Sequence, residues 1–449
     1  MKSYTNRRAS LIQQMLTKGG GVAIIPTAPE VMRNSDADYP YRHDSYFYYL
    51  SGFTEPEAVI VLVAIQGKQP QTILFCREKN LEREIWDGYR HGPEAARTEF
   101  GFDAAHPIAA LDSEMSRLLA DAPALFYALG SDPKLDAQVQ GWLASVRVQS
   151  RAGVTAPASA HDVHCLLNEM RLFKDAGEVG LMRRAAEISS QAHRRAMQTS
   201  RPGLREYQLE AELLHEFRRQ GSQAPAYGSI VATGANACVL HYRASDATLK
   251  DGDLVLIDAG CELDSYASDI TRTFPVNGIF SGPQKALYEI VLASQAAAIA
   301  ETRPGRSFID GHDAAVRVLA QGMLDTGLLD FNKVGTLDDV IAKGEYRQFY
   351  MHRTGHWLGM DVHDVGEYRA KAEATAADQE KPWRILQPGM VTTVEPGIYV
   401  RPTDGVPTEF WNIGIRIEDD ALVTATGCDI LSKDAPKTVT EIEAVMRQH

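Results

Sequence analysis

The spacing of apolar residues divides the chain into alternating helical and extended stretches. Residues 6–16 carry Leu11, Ile12, Met15 and Leu16 at helical spacing, and the glycines at 19–21 stop that helix. Residues 22–26 read as a short strand. Residues 58–65 and 72–76 are two apolar runs joined by the polar turn QGKQPQ, which predicts a hairpin or neighbouring strands. Strand and helix signals alternate on through 125–129 and 136–146. The pattern changes at about residue 170. Residues 169–198 form one long helical pattern with Leu181, Met182, Ala185, Ile188, Ala192 and Ala196 on one face, closed by Arg201-Pro202-Gly203. A second helix is expected over 206–220, with Leu209, Leu213, Leu214 and Phe217 as its apolar stripe and Gly221 as its stop. Strand signals dominate beyond it, apart from a helix near 284–301. There is no internal repeat. Residues 367–383 are a polar, Ala-rich insertion that reads as a surface loop or short helix.

A chain of 449 residues suits two or three domains, each able to bury a core. A hydrophobic content of 44% and a charged content of 23% are ordinary for a globular protein. The longest apolar run, 58–65, is far short of the ~20 residues a membrane span needs. The N-terminal MKSYTNRRASLIQQML lacks the apolar core and cleavage site of a secretory signal. Cys76, Cys165, Cys238, Cys261 and Cys428 are scattered and form no CxxC, as expected of free thiols in a reducing cytoplasm. A net charge of -13 argues against a nucleic-acid partner, and part of it belongs to one acidic cluster.

That cluster is spread over four segments. Asp258 ends the apolar run LVLID, and Asp269 opens ITRTFPV eleven residues later. The intervening AGCELDSYAS holds Gly260 and an Asp-Ser pair suited to a turn, so a hairpin would bring the two acids side by side. Two carboxylates that close repel unless a cation or proton lies between them. Glu395 follows VTTV and precedes Pro-Gly, at a strand end from which it can point into a cavity. In Ile413 to Glu418, the isoleucines alternate onto one face and Gly414, Arg416 and Glu418 share the other. His352 and His356 are four apart, but Arg353 stands where a single-zinc HExxH site needs Glu, and Gly355 weakens a helix. Each of these acids alone reads as a turn residue, cap or ordinary ion pair, and a lone His such as His241 as structural. Together, Asp258, Asp269, His356, Glu395 and Glu418 read as a site for two hard divalent cations, whose charge balances four carboxylates.

As a set these residues resemble the Xaa-Pro aminopeptidase (aminopeptidase P) family, bacterial type, of the pita-bread metallopeptidase fold. The resemblance runs through YPYRHDSYFYYLSGFTEPEAV, NEMRLFKDAGEV, DLVLIDAGCELDSYASDITRTFPVNG, GHWLGMDVHDVG, LQPGMVTTVEPGIY and GIRIEDD. It implies an α+β architecture. Residues 1–172 would form a smaller N-terminal α/β domain for oligomerisation and the site rim. Residues 173–449 would form the catalytic pita-bread domain, a curved antiparallel sheet backed by helices. It implies two divalent metal ions, manganese first, with zinc or cobalt as alternatives. Asp258 would bind one ion, Asp269 and Glu418 would bridge, and His356 and Glu395 would complete the second. Glu395 would also shuttle the proton of a metal-activated hydroxide. His241, His352 and His363 match substrate-facing catalytic histidines. Arg416 and Tyr399 match residues that hold the Asp ligand. Tyr227 matches a residue lining the site, and Trp86 one that reaches a neighbouring subunit's site in tetramers. Either Arg369 or Arg384 corresponds to a rim arginine. The implied substrate is a peptide with proline second, cut by a cytoplasmic homodimer or tetramer with no nucleic-acid or membrane partner. A prolidase acting on Xaa-Pro dipeptides shares all five ligands. A non-metal creatinase-like hydrolase or an inactive scaffold relative would lack some of them.

Overall fold

The computed structural model describes residues 2–370 and 380–447. The chain divides into two compact units, Met1–Met170 and Arg171–His449.

The first unit is built on a mixed six-stranded sheet. Its order is Ala104–Pro107, Gln71–Cys76, Val59–Ala64, Gly21–Pro26, Ala124–Phe126 and Ser159–His161. The two runs expected as neighbouring strands pair antiparallel, with Val61 opposite Ile73. Gly21–Pro26, Ala124–Phe126 and Ser159–His161 run parallel. The helices Leu111–Leu119 and Pro133–Arg147 bury Met115, Val139 and Trp142 against Val22, Ile24 and Val61. Each such side chain contributes about 1.5–3 kcal/mol by leaving water.

Among the described residues the second unit carries its strands as four short antiparallel sheets. Ile230–Thr233, Leu254–Asp258 and Thr271–Pro275 form one, and Ala224–Pro225, Cys261–Leu263 and Tyr266–Ala267 another. Val391–Val394 pairs with Asp419–Val423, which pairs with Cys428–Ile430, and Gly397–Val400 pairs with Ile413–Arg416. Helices Ala176–Thr199, Glu206–Arg219, Gly282–Glu301 and Asp310–Asp325 share the core with them, where Ile188, Leu213, Leu287 and Leu319 meet Val255, Phe274 and Ile415. Among the described residues no helix is long and apolar enough to cross a membrane.

One helix differs from the sequence pattern. Residues 169–198 are not continuous: helix His164–Leu172 stops, and Ala176–Thr199 starts afresh at Asp175. The Asp175 carboxylate accepts the N–H groups of Gly177 and Glu178 at 2.8 and 2.9 Å, and Glu178 accepts the Asp175 N–H at 2.8 Å. This reciprocal capping box restarts the helix although apolar spacing runs through the junction. Of the insertion at 367–383, residues 371–379 lie outside the described residues. Its flanks pair, Arg369 opposite Trp383, with the Arg384 N–H donating to Tyr368 O at 2.9 Å.

His193 ties the long helix to the sheet beneath the acids. Its Nε2 donates to the Ala259 carbonyl at 2.9 Å, in the turn just after Asp258, while its buried Nδ1 has no hydrogen-bond partner among the described residues. Burial pushes this imidazole down to about 4, although its bond to Ala259 pulls the other way. Below about 6.5 the unfolded chain takes a proton that the folded chain refuses, so stability is lost as pH falls from about 6.5 to about 4. In urea unfolding followed from pH 7 to 4.5, His193→Gln is expected to show a shallower loss of stability, by up to about 3 kcal/mol. An unchanged slope would remove His193 as its source.

Candidate metal centre

Asp258 and Asp269 meet because their segment folds as two nested hairpins. Leu254–Asp258 pairs with Thr271–Pro275, with Asp258 opposite Thr271. Inside it, Cys261–Leu263 pairs with Tyr266–Ala267 across Asp264 and Ser265, which take φ of 46° and 69°. Positive φ at both central residues is what a two-residue hairpin turn of type I′ needs. A Cβ on Gly260 would lie 1.8 Å from Ser268 O, so the backbones close up only with glycine there. The Tyr227 hydroxyl then reaches both acids, 2.6 Å from Asp258 Oδ1 and 2.5 Å from Asp269 Oδ1.

His356 and Glu395 are joined by an extended segment, not a helix. Trp357 bridges Thr392, Thr393 N–H donates to His356 O at 2.9 Å, and Glu395 N–H donates to Thr354 O at 2.8 Å. Gly355 is required here too, since a Cβ would come within 2.1 Å of Thr393 O. The four-residue spacing of His352 and His356 is therefore not a helical pair.

The strand face expected for Ile413 to Glu418 is observed. Ile413, Ile415 and Ile417 enter the core, while Arg416 and Glu418 line the opposite side. The Glu418 N–H donates to Thr271 O at 3.0 Å, and Thr271 Oγ1 donates to Glu418 Oε2 at 2.7 Å. From behind, the fully buried Arg272 donates to Glu418 O at 2.6 Å and pairs with Asp419 at 2.7 Å.

All five residues line one cavity of about 770 Å³. Asp269, His356 and Glu418 each offer a ligand atom, and these atoms lie within 4.8 Å of one another. His356 Nε2 is 3.4 Å from Asp269 Oδ2 and 3.8 Å from Glu395 Oε1. Its Nδ1 donates to Trp357 O at 2.9 Å, which makes Nε2, facing the acids, the nitrogen that would bind an ion once its proton is displaced.

The electrostatics call for cations. Burial, then the neighbouring acids Asp269, Glu395 and Asp258, hold the Glu418 carboxyl well above its usual range. Burial is also the main cause at Asp269, which is raised, and at Glu395, which is pushed up to about 7. Burial would lower His356, but its bond to Asp269 and the charge of Glu395 carry it up to about 9. Tyr227 makes the same point. One hydroxyl has one proton, so it cannot bridge two ionised carboxylates without further positive charge. A buried, oxygen-rich donor set with one imidazole nitrogen among the acids fits hard divalent ions.

Arg416 braces the cluster. It donates to Asp258 Oδ2 at 2.6 Å, Tyr399 Oη at 3.0 Å and Thr271 Oγ1 at 3.1 Å. His352 Nε2 lies 2.8 Å from Tyr399 Oη, and its Nδ1 donates to Arg353 O at 2.7 Å. Burial, with Arg416 nearby, pushes His352 down to about 3, so it is neutral. His363 is exposed in the cavity with its ring 4.3 Å from that of His356, and His241 lines the same space. Trp86 belongs to the first unit, on helix Leu81–Asp87, is 83% exposed, and is not among the cavity-lining residues. Arg369 lines the cavity. Arg384 is not among its lining residues, and its guanidinium lies 5.8 Å from the Phe173 ring.

Some participants carried no signal in the sequence. Asp420, third in the run Glu418-Asp419-Asp420, accepts the Asp269 N–H at 3.2 Å while Asp419 is neutralised by Arg272 and Lys437. Asp364 is gripped by Arg171 and Lys174 at 2.6 and 2.9 Å directly after His363. Thr354 joins His312 and Tyr350 at 2.9 and 2.6 Å behind Glu395. Only the folded chain distinguishes these from other polar residues.

This site and fold define a metallopeptidase. Residues 180–425 match the model of metallopeptidase family M24, and residues 4–127 that of the aminopeptidase P N-terminal domain. The chain belongs to metallopeptidase family M24. It is 44% identical over 445 residues to the Xaa-Pro aminopeptidase of Escherichia coli (strain K12), covering 99% of this chain and 97% of that one. The structure of the aminopeptidase PepP of Pseudomonas aeruginosa superposes with a TM-score of 0.94 at 50% identity, over 99% of this chain and 98% of that one. A zinc-substituted E. coli aminopeptidase P in complex with product superposes with a TM-score of 0.93 at 43% identity, over 99% and 98% of the two chains.

Proposed function

We propose that this chain is a metal-dependent aminopeptidase that hydrolyses the bond between an N-terminal residue and a following proline. The observation that carries this is the buried group Asp269, His356 and Glu418, with Asp258 and Glu395 in the same cavity, in a member of a metallopeptidase family. These five residues would hold two divalent ions, manganese first, with zinc or cobalt suited to the same donors. Bound there, such ions would supply the positive charge the cluster needs and Lewis-acid activation of the attacking water and of the scissile carbonyl.

The chain's own residues do the rest. Glu395 accepts a proton from the attacking water and passes it to the proline nitrogen as the C–N bond breaks. His363, exposed in the cavity, donates to the developing oxyanion. Both ring nitrogens of His352 are engaged, so it positions Tyr399 and the substrate rather than donating freely. Arg416 and Tyr399 hold Asp258 in place, and Tyr227 spans Asp258 and Asp269. His241 faces the peptide, and Trp86 contacts substrate at a neighbouring subunit. The peptide's free amine pairs with the acidic end of the cavity, which confines cleavage to the first residue. Proline explains the need for a dedicated enzyme: its nitrogen carries no hydrogen and its φ is locked, so sites that grip extended backbone by its amides bind it poorly. The trans isomer is the one accepted.

Residues 1–172 are assigned to assembly and the site rim, and 173–449 to catalysis. Leu81, Ile85, Trp86 and Tyr89, all exposed within nine residues of the first unit, support a homo-oligomer, dimer or tetramer. Five unpaired cysteines support a cytoplasmic location.

Product analysis of an Xaa-Pro-Yaa tripeptide, with and without added manganese, tests the assignment. Free Xaa and Pro-Yaa are expected, with release dependent on metal. Cleavage of Xaa-Pro dipeptides alone would make the chain a prolidase, and metal-independent release would overturn the mechanism.

A further inference from the structure

The acids and His356 take up one part of the cavity, but the same cavity has basic side chains that the chemistry above leaves unused. Arg353 and Arg369 both line it, together with Trp383. The Arg369 guanidinium lies 3.5 Å from the Trp383 ring centroid and that of Arg353 lies 5.1 Å from it. Arg369 is partly occupied, donating to Lys381 O at 2.8 Å and approaching Glu380 at 3.5 Å. Arg353 is different. Among the described residues no carboxylate lies within ion-pairing distance of it, and its side chain makes no hydrogen bond. A guanidinium held over an indole face by a cation–π contact keeps its N–H groups available for a planar anion.

Polarity supplies the ligand. A peptide cut after its first residue puts its amine and scissile carbonyl at the acid cluster, so its other end runs away from it. Arg353 follows His352, whose ring is 3.8 Å from Glu395. Two extended residues beyond the scissile bond span about 7 Å. A cavity of about 770 Å³ has room for a peptide of that length.

We propose that Arg353, held over the Trp383 ring that Arg369 also contacts, binds the C-terminal carboxylate of short peptides. The enzyme then favours Xaa-Pro-Yaa tripeptides with a free carboxylate over their amides. This rests on the aminopeptidase assignment above. Arg353 determines specificity and takes no part in bond breaking.

The test compares kcat/KM for one Xaa-Pro-Yaa tripeptide and its C-terminal amide, in the manganese-loaded wild type and in Arg353→Ala and Arg353→Lys. Wild type is expected to prefer the free acid about tenfold, mainly through KM, as one charge-assisted hydrogen bond at a partly exposed site allows. Arg353→Ala should bring the ratio close to one, and Arg353→Lys should restore part of it by keeping the charge without the planar fork. A ratio unchanged by Arg353→Ala, or an equal loss on acid and amide, overturns the inference while leaving the aminopeptidase assignment standing. Failure of wild type to release the first residue from either peptide overturns both.

Discussion

Replacing Glu395 by Gln is expected to lower kcat by about two to four orders of magnitude, the usual contribution of a positioned general base. Gln keeps the shape of Glu395 and its backbone bond to Thr354, so the chain either side of it stays paired. It removes a carboxylate that lies 3.8 Å from both His352 and His356 and can take a proton from water in this cavity. The fold should not suffer. Burial already pushes Glu395 up to about 7, so the metal-free protein gains from a neutral group there. The unfolding midpoint of the metal-free variant should match or exceed that of wild type. Steady-state kinetics on an Xaa-Pro-Yaa peptide, with metal content measured on the same samples, decides the point. Activity within tenfold of wild type at equal metal occupancy would remove Glu395 from its assigned role.

Stripping the metal should have the largest effect on stability. In its absence Asp258, Asp269, Glu395 and Glu418 face one another in one cavity, with Arg416 paired to Asp258 and the protonated His356 beside Asp269 as the cations nearest them. Ions that bind only the folded chain stabilise it by about 4 kcal/mol at a thousandfold excess over Kd. For a unit of this size that amounts to a rise of roughly ten degrees in melting temperature. The gap should also depend on pH with a definite sign. A carboxyl raised in the folded state binds protons there more readily than in the unfolded chain. The metal-free protein therefore loses stability as pH rises from about 4.5 to about 7, the window given by Glu395. Metal binding must displace those protons, so the melting gap between loaded and stripped protein should narrow as pH falls below 7. Calorimetry before and after chelation, at pH 5.5 and 7.5, provides the measurement. A stripped protein that melts no lower than the loaded one at pH 7.5 would mean that the five residues do not share ions.

The apolar spacing in the sequence was enough for the strands Val59–Ala64 and Gln71–Cys76, the helices Glu206–Arg219 and Gly282–Glu301, and the two faces of Ile413 to Glu418. These elements follow local period, and local period is written in the chain. The Asp258–Asp269 hairpin was legible for the same reason: Gly260 and the Asp264-Ser265 pair are a turn in any context that lets it form. The break at Asp175 was harder to see, because a capping box competes with apolar spacing that runs straight through it.

The acids and the histidine could be named from sequence as a set, since each ends or follows an apolar run. Their meeting could not be derived that way. It depends on Gly355 letting residues 354–357 lie against Val391–Val394, on Thr271 touching both Arg416 and Glu418, and on Arg272 gripping the Glu418 backbone. None of these contacts has a period or a motif; they join residues up to about 150 positions apart, and only packing chooses among such pairings. The same holds for the guanidinium of Arg353, unpaired among the described residues, and for the neutral state of His352, which depend on what the fold sets beside them. Residue type and spacing determined which groups were available, and burial determined which of them must share charge.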